Sequence, residues 1–214
     1  MWVVVVAAGS GRRFGSPKHF ALLGDRAMAQ WAVDAARQAA DGVVLVLPAP
    51  DPLDVADRRG AIENVDVMVT GGATRAASVR AGLAVVPDTA EVIVVHDGAR
   101  PLASPALFGA VVDAVTAGAD AAVPGLAVVD TLKRVVGDEV TATVERDGMV
   151  AVQTPQAFRA DVLRRAHASL SEATDDAGLV ELLGATVRVV PGEPRNIKVT
   201  TLADLELARA LAES

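Results

Sequence analysis

Residues 2–18 read WVVVVAAGSGRRFGSPK, a short apolar run that leads directly into a glycine-rich loop. Four consecutive valines leave no polar face, which is typical of a parallel strand that helices cover on both sides. The glycines that follow allow the backbone to turn and to bring its N–H groups close to a ligand. A buried strand followed by a glycine loop predicts an α/β fold with a ligand site at the carboxyl end of that strand.

The rest of the chain repeats this alternation of Val-rich and Ala-rich segments. After the strand at Trp2–Val6, the pattern predicts strands at 43–47, 65–69, 91–95, 119–123 and 186–190. It predicts helices near 28–40, 74–85, 105–117 and 201–212. Alternating strands and helices indicate a doubly wound, mostly parallel sheet. The 214 residues suit a single domain, 1–214, and are too few for two domains with separate cores.

The segment 131–154 breaks the alternation, because it has no helical period and contains two turn signals. These are Gly137-Asp138 and Asp147-Gly148, and the second dipeptide is a strong signal for a type I′ hairpin. The segment therefore predicts a β-arm that projects from the sheet.

Composition and net charge argue against several classes of protein. The net charge of −7 argues against general nucleic-acid binding, which requires a basic face. The chain has no cysteine, so a disulfide framework and a thiolate metal site are excluded. The N-terminus has no basic region or cleavage signal, and no apolar run approaches the roughly 20 residues that span a bilayer. We therefore expect a soluble cytoplasmic protein that binds neither nucleic acid nor membrane.

The glycine loop carries three cations, Arg12, Arg13 and Lys18, on a chain that is acidic overall. Cations beside inward-turned N–H groups suit a phosphate-bearing ligand. A Walker A loop would end in Gly-Lys-Ser/Thr, which this loop lacks, and the dinucleotide fingerprint needs Gly or Ala where Phe14 stands. A triphosphate explains three cations better than a pyrophosphate does. The alternative is an ordinary glycine-rich turn with solvated arginines.

A second set of polar residues, His96-Asp97-Gly98-Ala99-Arg100, ends the predicted strand at 91–95. A carboxylate at the carboxyl end of a central strand lies where Mg²⁺ and phosphates would bind. The Arg100 guanidinium has the fork geometry for a substrate phosphate. An Asp97–Arg100 pair that merely closes a loop is the alternative, and His96 has the character of a structural residue.

The loop Ala7-Ala8-Gly9-x-Gly11-x-Arg13, followed by Pro17-Lys18, resembles that of the sugar-phosphate nucleotidyltransferases. Within that group, further segments are similar to the 2-C-methyl-D-erythritol 4-phosphate cytidylyltransferase family. They occur in the family's order across nearly the whole chain: 71–78, 96–101, 130–134, 143–148, 153–156, 174–176 and 196–200.

This resemblance implies a nucleotide-diphospho-sugar transferase-like fold and a specific reaction. The family transfers CMP from CTP to 2-C-methyl-D-erythritol 4-phosphate, giving 4-diphosphocytidyl-2-C-methyl-D-erythritol and pyrophosphate in non-mevalonate isoprenoid biosynthesis. It also implies Mg²⁺ or another divalent cation, and a homodimer formed through the β-arm. Three alternatives stay open: a ribitol 5-phosphate cytidylyltransferase, a guanylyl- or uridylyltransferase, and a non-catalytic nucleotide-binding regulatory protein. Retained cations argue against the last, because a degenerate relative should lose some of them.

The resemblance also implies roles for single residues. The catalytic cations are Arg13, Lys18, Arg146 and Lys198. The nucleotide is bound by Ala7, Ala8, Gly9, Gly11, Gly72 and Ser78. The acceptor is bound by Asp97, Arg100, Thr131 and Thr154, with Asp97 also at the metal.

Without the family resemblance, Arg146 and Lys198 would be interpreted as solvated surface cations. Arg146 lies at the second turn of the arm, and the family role takes it into the partner's active site. Lys198 follows the last strand signal, and its family role is to hold the acceptor phosphate. Ala73 stands where the family often has an acid, which leaves backbone contacts for the nucleotide at that position.

Overall fold

The computed structural model describes residues 1–9, 14, 18–49, 62–168 and 174–213. Two predicted site residues, Gly11 and Arg13, lie outside the described residues, and Lys18 is described by its backbone alone.

Twelve strands occur in this described part of the chain. In chain order they are β1 (Trp2–Val6), β2 (Leu22–Leu23), β3 (Arg26–Ala27), β4 (Gly42–Leu47), β5 (Val67–Thr70), β6 (Val92–Asp97), β7 (Ala121–Ala127), β8 (Leu132–Val136), β9 (Glu139–Val144), β10 (Val150–Val152), β11 (Gln156–Arg159) and β12 (Val187–Pro191). The helices are α1 (Met28–Arg37), α2 (Arg75–Leu83), α3 (Pro105–Thr116), α4 (Ala160–Ala168), α5 (Asp176–Glu181) and α6 (Leu202–Glu213), with a 3₁₀ turn at Lys18–Phe20. None of the helices in the described ranges has the length and apolarity that crossing a bilayer requires.

Eight of these strands form one sheet in the order β10-β7-β11-β6-β1-β4-β5, and β12 also pairs with β7. At its centre, β1 lies parallel to both β4 and β6. Within this sheet, antiparallel pairing is confined to β11, which lies between β6 and β7, and to β10, which lies on the same side of β7 as β11, because β12 occupies the other side. The predicted α/β class and mostly parallel sheet are confirmed.

The predicted elements are present, with ends displaced by a few residues. Five further elements were not predicted: β2, β3, β11, α4 and α5. Strand β11 has four residues and α5 has six, which is too short for a hydrophobic period to identify either. The antiparallel β11 forms because its residues complete the hydrogen bonds of β6 on one side and β7 on the other.

Small residues allow the helices to lie close to both faces of the sheet. One apolar core packs α1 and α3 against the sheet, and a second packs α2 and α4 against the opposite face. A Cβ at Gly82 of α2 would lie only 2.5 Å from the Val4 side chain, so this helix packs directly on β1. All six residues of β4 are buried, as the Val-rich pattern predicts for a central parallel strand.

Within the segment predicted as a β-arm, β8 and β9 form a two-stranded sheet apart from the main sheet, and only the first of the two predicted turns is a hairpin. Strands β8 and β9 pair antiparallel around Gly137, which has a φ of 62°. A second turn forms where Met149 N–H donates to the Arg146 carbonyl at 2.9 Å. The strand after it, β10, pairs with β7 rather than with β9. The hairpin predicted at Asp147-Gly148 is therefore wrong, because β10 finds its hydrogen-bond partners on β7, along the side that β11 also pairs with.

Candidate active site

A cleft of about 810 Å³ opens at the carboxyl ends of the central parallel strands. The chain runs outward from β1 to β4 and β5, and then crosses to β6 on the other side of β1. Such a reversal of strand order leaves a crevice between the loops, where α/β proteins bind ligands. The residues that line it are Val6, Ala8, Gly9, His19, Pro48, Ala49, Gly71, Gly72, Ala73, Thr74, Arg75, Ser78, Asp97, Ala99 and Lys198.

Backbone hydrogen bonds fix the loops that form this cleft. Ala7 N–H donates to Val46 O at 2.8 Å, Gly71 N–H donates to Leu47 O at 2.8 Å, and Gly98 N–H donates to Val6 O at 2.9 Å. Each loop therefore leaves the sheet from a paired position. Of the predicted nucleotide-binding residues, Ala8 and Gly9 line the cleft and Ala7 is buried beneath them.

The Gly71-Gly72 turn forms one wall and has no room for larger side chains. A Cβ on Gly71 would lie 2.4 Å from the Ala8 Cβ, and one on Gly72 would lie 2.5 Å from the Ala77 Cβ. Ser78, in the first turn of α2, accepts a hydrogen bond from Gly72 N–H at 3.2 Å and donates to Thr74 O at 3.0 Å. Ser78 thus stabilises the turn whose backbone faces the cleft.

Asp97 contacts both Lys198 and Arg75 in the cleft. Its Oδ2 accepts from Lys198 Nζ at 2.6 Å, and its Oδ1 lies 3.4 Å from both Nε and Nη2 of Arg75. Burial alone would raise the pKa of this carboxyl, but the Arg75 and Lys198 cations hold the pKa well below its ordinary value. Asp97 is therefore ionised at neutral pH and held from two sides.

A buried hydrogen-bond chain supports Asp97 from below. Thr154 Oγ1 accepts from Asp97 N–H at 3.0 Å and lies 3.2 Å from His96 Nδ1, while His96 Nε2 lies 3.1 Å from Arg100 O. Because a carbonyl can only accept, His96 carries its proton on Nε2, and the Thr154 hydroxyl donates to Nδ1. Full burial lowers the pKa of His96 to about 4, so the ring is neutral, which fits the structural character expected of it.

Other predicted site residues lie outside the lining of this cleft. The Arg100 guanidinium donates to Asn196 O at 2.7 Å and thereby ties the loop after β6 to the segment that carries Lys198. Thr131 is exposed at the base of the arm. Arg146 is also exposed, and its Nη1 donates to Val129 O. The structure thus brings together Ala8, Gly9, Gly72, Ser78, Asp97 and Lys198, with Thr154 beneath them, whereas the roles of Arg100, Thr131 and Arg146 stay predictions.

Two charged residues of this region received no role from the sequence. Arg75 lines the cleft, and its Nη1 lies 2.7 Å from Oδ2 of Asp176, which is 1% exposed. Both residues stand within segments that carry the family resemblance, 71–78 and 174–176. That resemblance could have drawn attention to them, but residue spacing could not, because β6, β7 and the arm separate them along the chain.

Comparison with known proteins gives a family match over the whole chain. The family model described as IspD: 2-C-methyl-D-erythritol 4-phosphate cytidylyltransferase matches residues 1–214. A protein of that name from Rhodococcus jostii (strain RHA1) is 48% identical over 98% of this chain and 94% of its own length. One from Nocardia farcinica (strain IFM 10152) is 47% identical over 98% of this chain and 93% of its own length.

A solved structure shows the same fold. The crystal structure of 2-C-methyl-D-erythritol 4-phosphate cytidylyltransferase from Thermus thermophilus superimposes with a TM-score of 0.82 at 37% identity. The similarity covers 99% of this chain and 98% of that one.

Proposed function

The chain belongs to the 2-C-methyl-D-erythritol 4-phosphate cytidylyltransferase family, and we propose that it transfers CMP from CTP to 2-C-methyl-D-erythritol 4-phosphate. The products are 4-diphosphocytidyl-2-C-methyl-D-erythritol and pyrophosphate, and the step belongs to non-mevalonate isoprenoid biosynthesis. The observation that carries this proposal is the Asp97–Lys198 pair, which lies in the same cleft as Gly9 of the glycine loop. The family model matches the chain over residues 1–214.

The reaction needs no nucleophilic side chain. A phosphate oxygen of the acceptor, anionic near neutral pH, attacks the α-phosphorus of CTP, and the bond to the bridging oxygen of the leaving pyrophosphate breaks. The main obstacle is the repulsion between two polyanions, so alignment and cations supply the catalysis. Among the Arg, Lys, Asp and Glu side chains described in the lining of the cleft, Arg75, Lys198 and Asp97 give a formal charge of +1. In this proposal Arg13 and Lys18 of the glycine loop add charge beside the triphosphate.

A divalent cation is part of the proposal. No group of three or more His, Cys, Asp or Glu in the described ranges is placed to hold a metal, so an all-protein cage does not fit. Asp97 fits the common Mg²⁺ arrangement of one or two carboxylates with substrate phosphates and water, because each carboxylate oxygen accepts more than one bond. When bound, Mg²⁺ would neutralise phosphate charge.

We also propose that the enzyme is a cytoplasmic homodimer joined through the β-arm. Several apolar side chains of the arm and of β10 are exposed to solvent: Val135, Val136, Val140, Val150 and Val152. An isolated hairpin is marginal in water, so such an arm needs a surface on which to pack. Arg146 lies outside the cleft of its own chain, which supports a role for it in a partner's site.

Initial rates of acceptor-dependent pyrophosphate release test the proposed function. We expect CTP to be preferred over UTP, ATP and GTP with 2-C-methyl-D-erythritol 4-phosphate as acceptor, because Gly72 and Ser78 of this wall belong to a segment that carries the family resemblance. Ribitol 5-phosphate is the control acceptor and should react more slowly. Equal turnover with a purine triphosphate, or faster turnover with ribitol 5-phosphate, would contradict the proposal.

A further inference from the structure

Asp176 is a buried carboxylate that the proposed reaction does not use. It is the first residue of α5 and is 1% exposed. The helix does not need it as a cap, because the neighbouring Asp175 accepts from Gly178 N–H at 3.0 Å. A buried carboxylate is costly unless it is paired, so its partners indicate why it is there.

Arg75 joins Asp176 to the cleft. Its guanidinium lies 2.7 Å from Asp176 Oδ2 through Nη1, and 3.4 Å from Asp97 Oδ1 through Nε and Nη2. On its other side, Asp176 Oδ1 accepts from Nε2 of His167, a side chain that is also buried, at 2.9 Å. From the cleft inward, the charges thus alternate: Lys198, Asp97, Arg75 and Asp176.

The two contacts of Arg75 differ in strength. The contact with Asp176 is shorter than that with Asp97, and the Asp176 side chain is 1% exposed against 11% for Asp97. Charge pairs are stronger where water is excluded, so Asp176 determines where the guanidinium lies. The Lys198 side chain is paired with Asp97 but is 43% exposed and lines the cleft, so an incoming phosphate can reach it, whereas Arg75 is held between two carboxylates.

We propose that Asp176 is a positioning residue for cytidylyl transfer, which holds Arg75 so that the guanidinium orients Asp97 in the cleft. The inference rests on the proposed function. Asp176 touches no substrate in this scheme and acts through Arg75 alone.

A double-mutant cycle on kcat/KM tests this route. We expect Asp176→Asn to lower kcat/KM by about tenfold or more, and to lower it by less than about twofold in an Arg75→Met background, where the route is already broken. Asp175→Asn is the matched control. It removes a neighbouring carboxylate, but asparagine caps helices as well as aspartate does, so its kcat/KM should stay within about threefold of wild type.

A purely structural role for Asp176 would give a different pattern. Asp176→Asn would then lower kcat/KM by the same factor in both backgrounds, and that result would overturn the proposal, as would wild-type kcat/KM in Asp176→Asn. If Asp176→Asn does not fold, Arg75→Met and Arg75→Met/Asp176→Asn decide between the two roles. Equal kcat/KM in that pair supports positioning, and a further tenfold loss opposes it.

The ¹⁵N resonance of Arg75 Nε–H gives a readout that does not depend on turnover. We expect it to shift and to exchange faster with solvent in Asp176→Asn, and to be unchanged in Asp175→Asn. An unchanged resonance in Asp176→Asn would refute the positioning role. Absence of turnover by the wild-type chain, in contrast, would refute the proposed function. The Arg75 resonance would then still show whether Asp176 holds the guanidinium.

Discussion

Lys198 is the one predicted catalytic cation whose side chain the described part of the structure places in the cleft. Its Nζ lies 2.6 Å from Asp97 Oδ2, and the pairing of Val199 N–H with Ala99 O at 2.8 Å fixes the backbone beside it. We expect Lys198→Ala to lower kcat/KM by about a hundredfold, because charge stabilisation at a reacting phosphate is commonly worth that much. Steady-state kinetics measures the loss.

Arg165→Ala is the control for this prediction, because it removes another cation, one that is exposed in the last turn of α4 and far along the chain from the arm. It should keep most of the activity. Near-wild-type kcat/KM in a folded Lys198→Ala variant would contradict the role of Lys198.

At this scale the sequence predicted individual groups better than the connections between them. Asp97 was expected at the end of a strand, and β6 does end there. Lys198 and Asp97 were assigned separate roles, and only the fold shows that they form a pair. The chain from Asp97 through Thr154 to His96 was also not foreseen, because long-range hydrogen bonds leave no period in a sequence.

Side chains cap the first turn of helix α6. Asp204 Oδ2 accepts from Thr200 N–H, Thr201 N–H and the Thr200 hydroxyl at 2.8, 2.8 and 2.6 Å, and Asp204 N–H donates to Thr201 Oγ1 at 3.2 Å. The bond from the Thr200 hydroxyl and those from the backbone lower the pKa of Asp204 to about 2. We expect Asp204→Ala to cost about 1 kcal/mol of unfolding free energy at pH 7.

The pH dependence of that cost follows from the direction of the pKa shift. A carboxylate whose pKa is lower in the folded state stabilises the protein above its unfolded value of 3.8, and this contribution is lost as the pH falls towards 2. Denaturant unfolding at several pH values should therefore show the gap between wild type and Asp204→Ala closing below about pH 4. Glu206→Ala removes an exposed acid of the same helix and should show no such convergence. A gap that stays constant down to pH 2 would contradict this interpretation.

Alanine substitutions at Gly109 and Gly118, in and just after α3, test the effect of backbone conformation on stability without a change in packing. Neither Gly109, inside the helix, nor Gly118, just after it, has an atom within 4 Å of a built Cβ. Gly118 has a φ of 108°, where side chains are strained, whereas Gly109 is helical. We expect Gly109→Ala to stabilise the protein and Gly118→Ala to destabilise it, each by about 1 kcal/mol. Thermal unfolding measures both, and a shift of the same sign in the two variants would contradict the assignment.

Among the elements, long periodic segments could be predicted and short ones could not. The Val-rich strands and the helices over 28–40 and 105–117 have enough residues to show a period. Helix α5 does not, and the placement of β10 depends on its pairing with the distant strand β7, which no local pattern describes. The turn signal at Asp147-Gly148 identified a turn correctly, but the partner of the next strand is a property of the whole sheet.

For the whole molecule, the proposed dimer makes a prediction that subunit mixing can test. Take Arg146→Ala and Lys18→Ala, each expected to be inactive alone. If Arg146 completes the partner's site, a heterodimer has one site with both lesions and one with neither. Mixing after reversible dissociation should then restore up to about half of the wild-type activity per heterodimer, provided that the sites act independently.

If Arg146 serves its own chain, each site of the heterodimer carries one lesion, and the activity stays near background. Absence of rescue in verified heterodimers, or an active monomeric enzyme, would rule out the shared site.

The central claim concerns a new phosphoanhydride bond, and ³¹P NMR of a complete reaction observes that bond directly. With CTP, 2-C-methyl-D-erythritol 4-phosphate and Mg²⁺, we expect the acceptor monophosphate and CTP signals to decline together. They should be replaced by free pyrophosphate and by two coupled resonances of a diphosphate diester. Loss of CTP with an unchanged acceptor monophosphate signal, or no acceptor-dependent change at all, would contradict cytidylyl transfer.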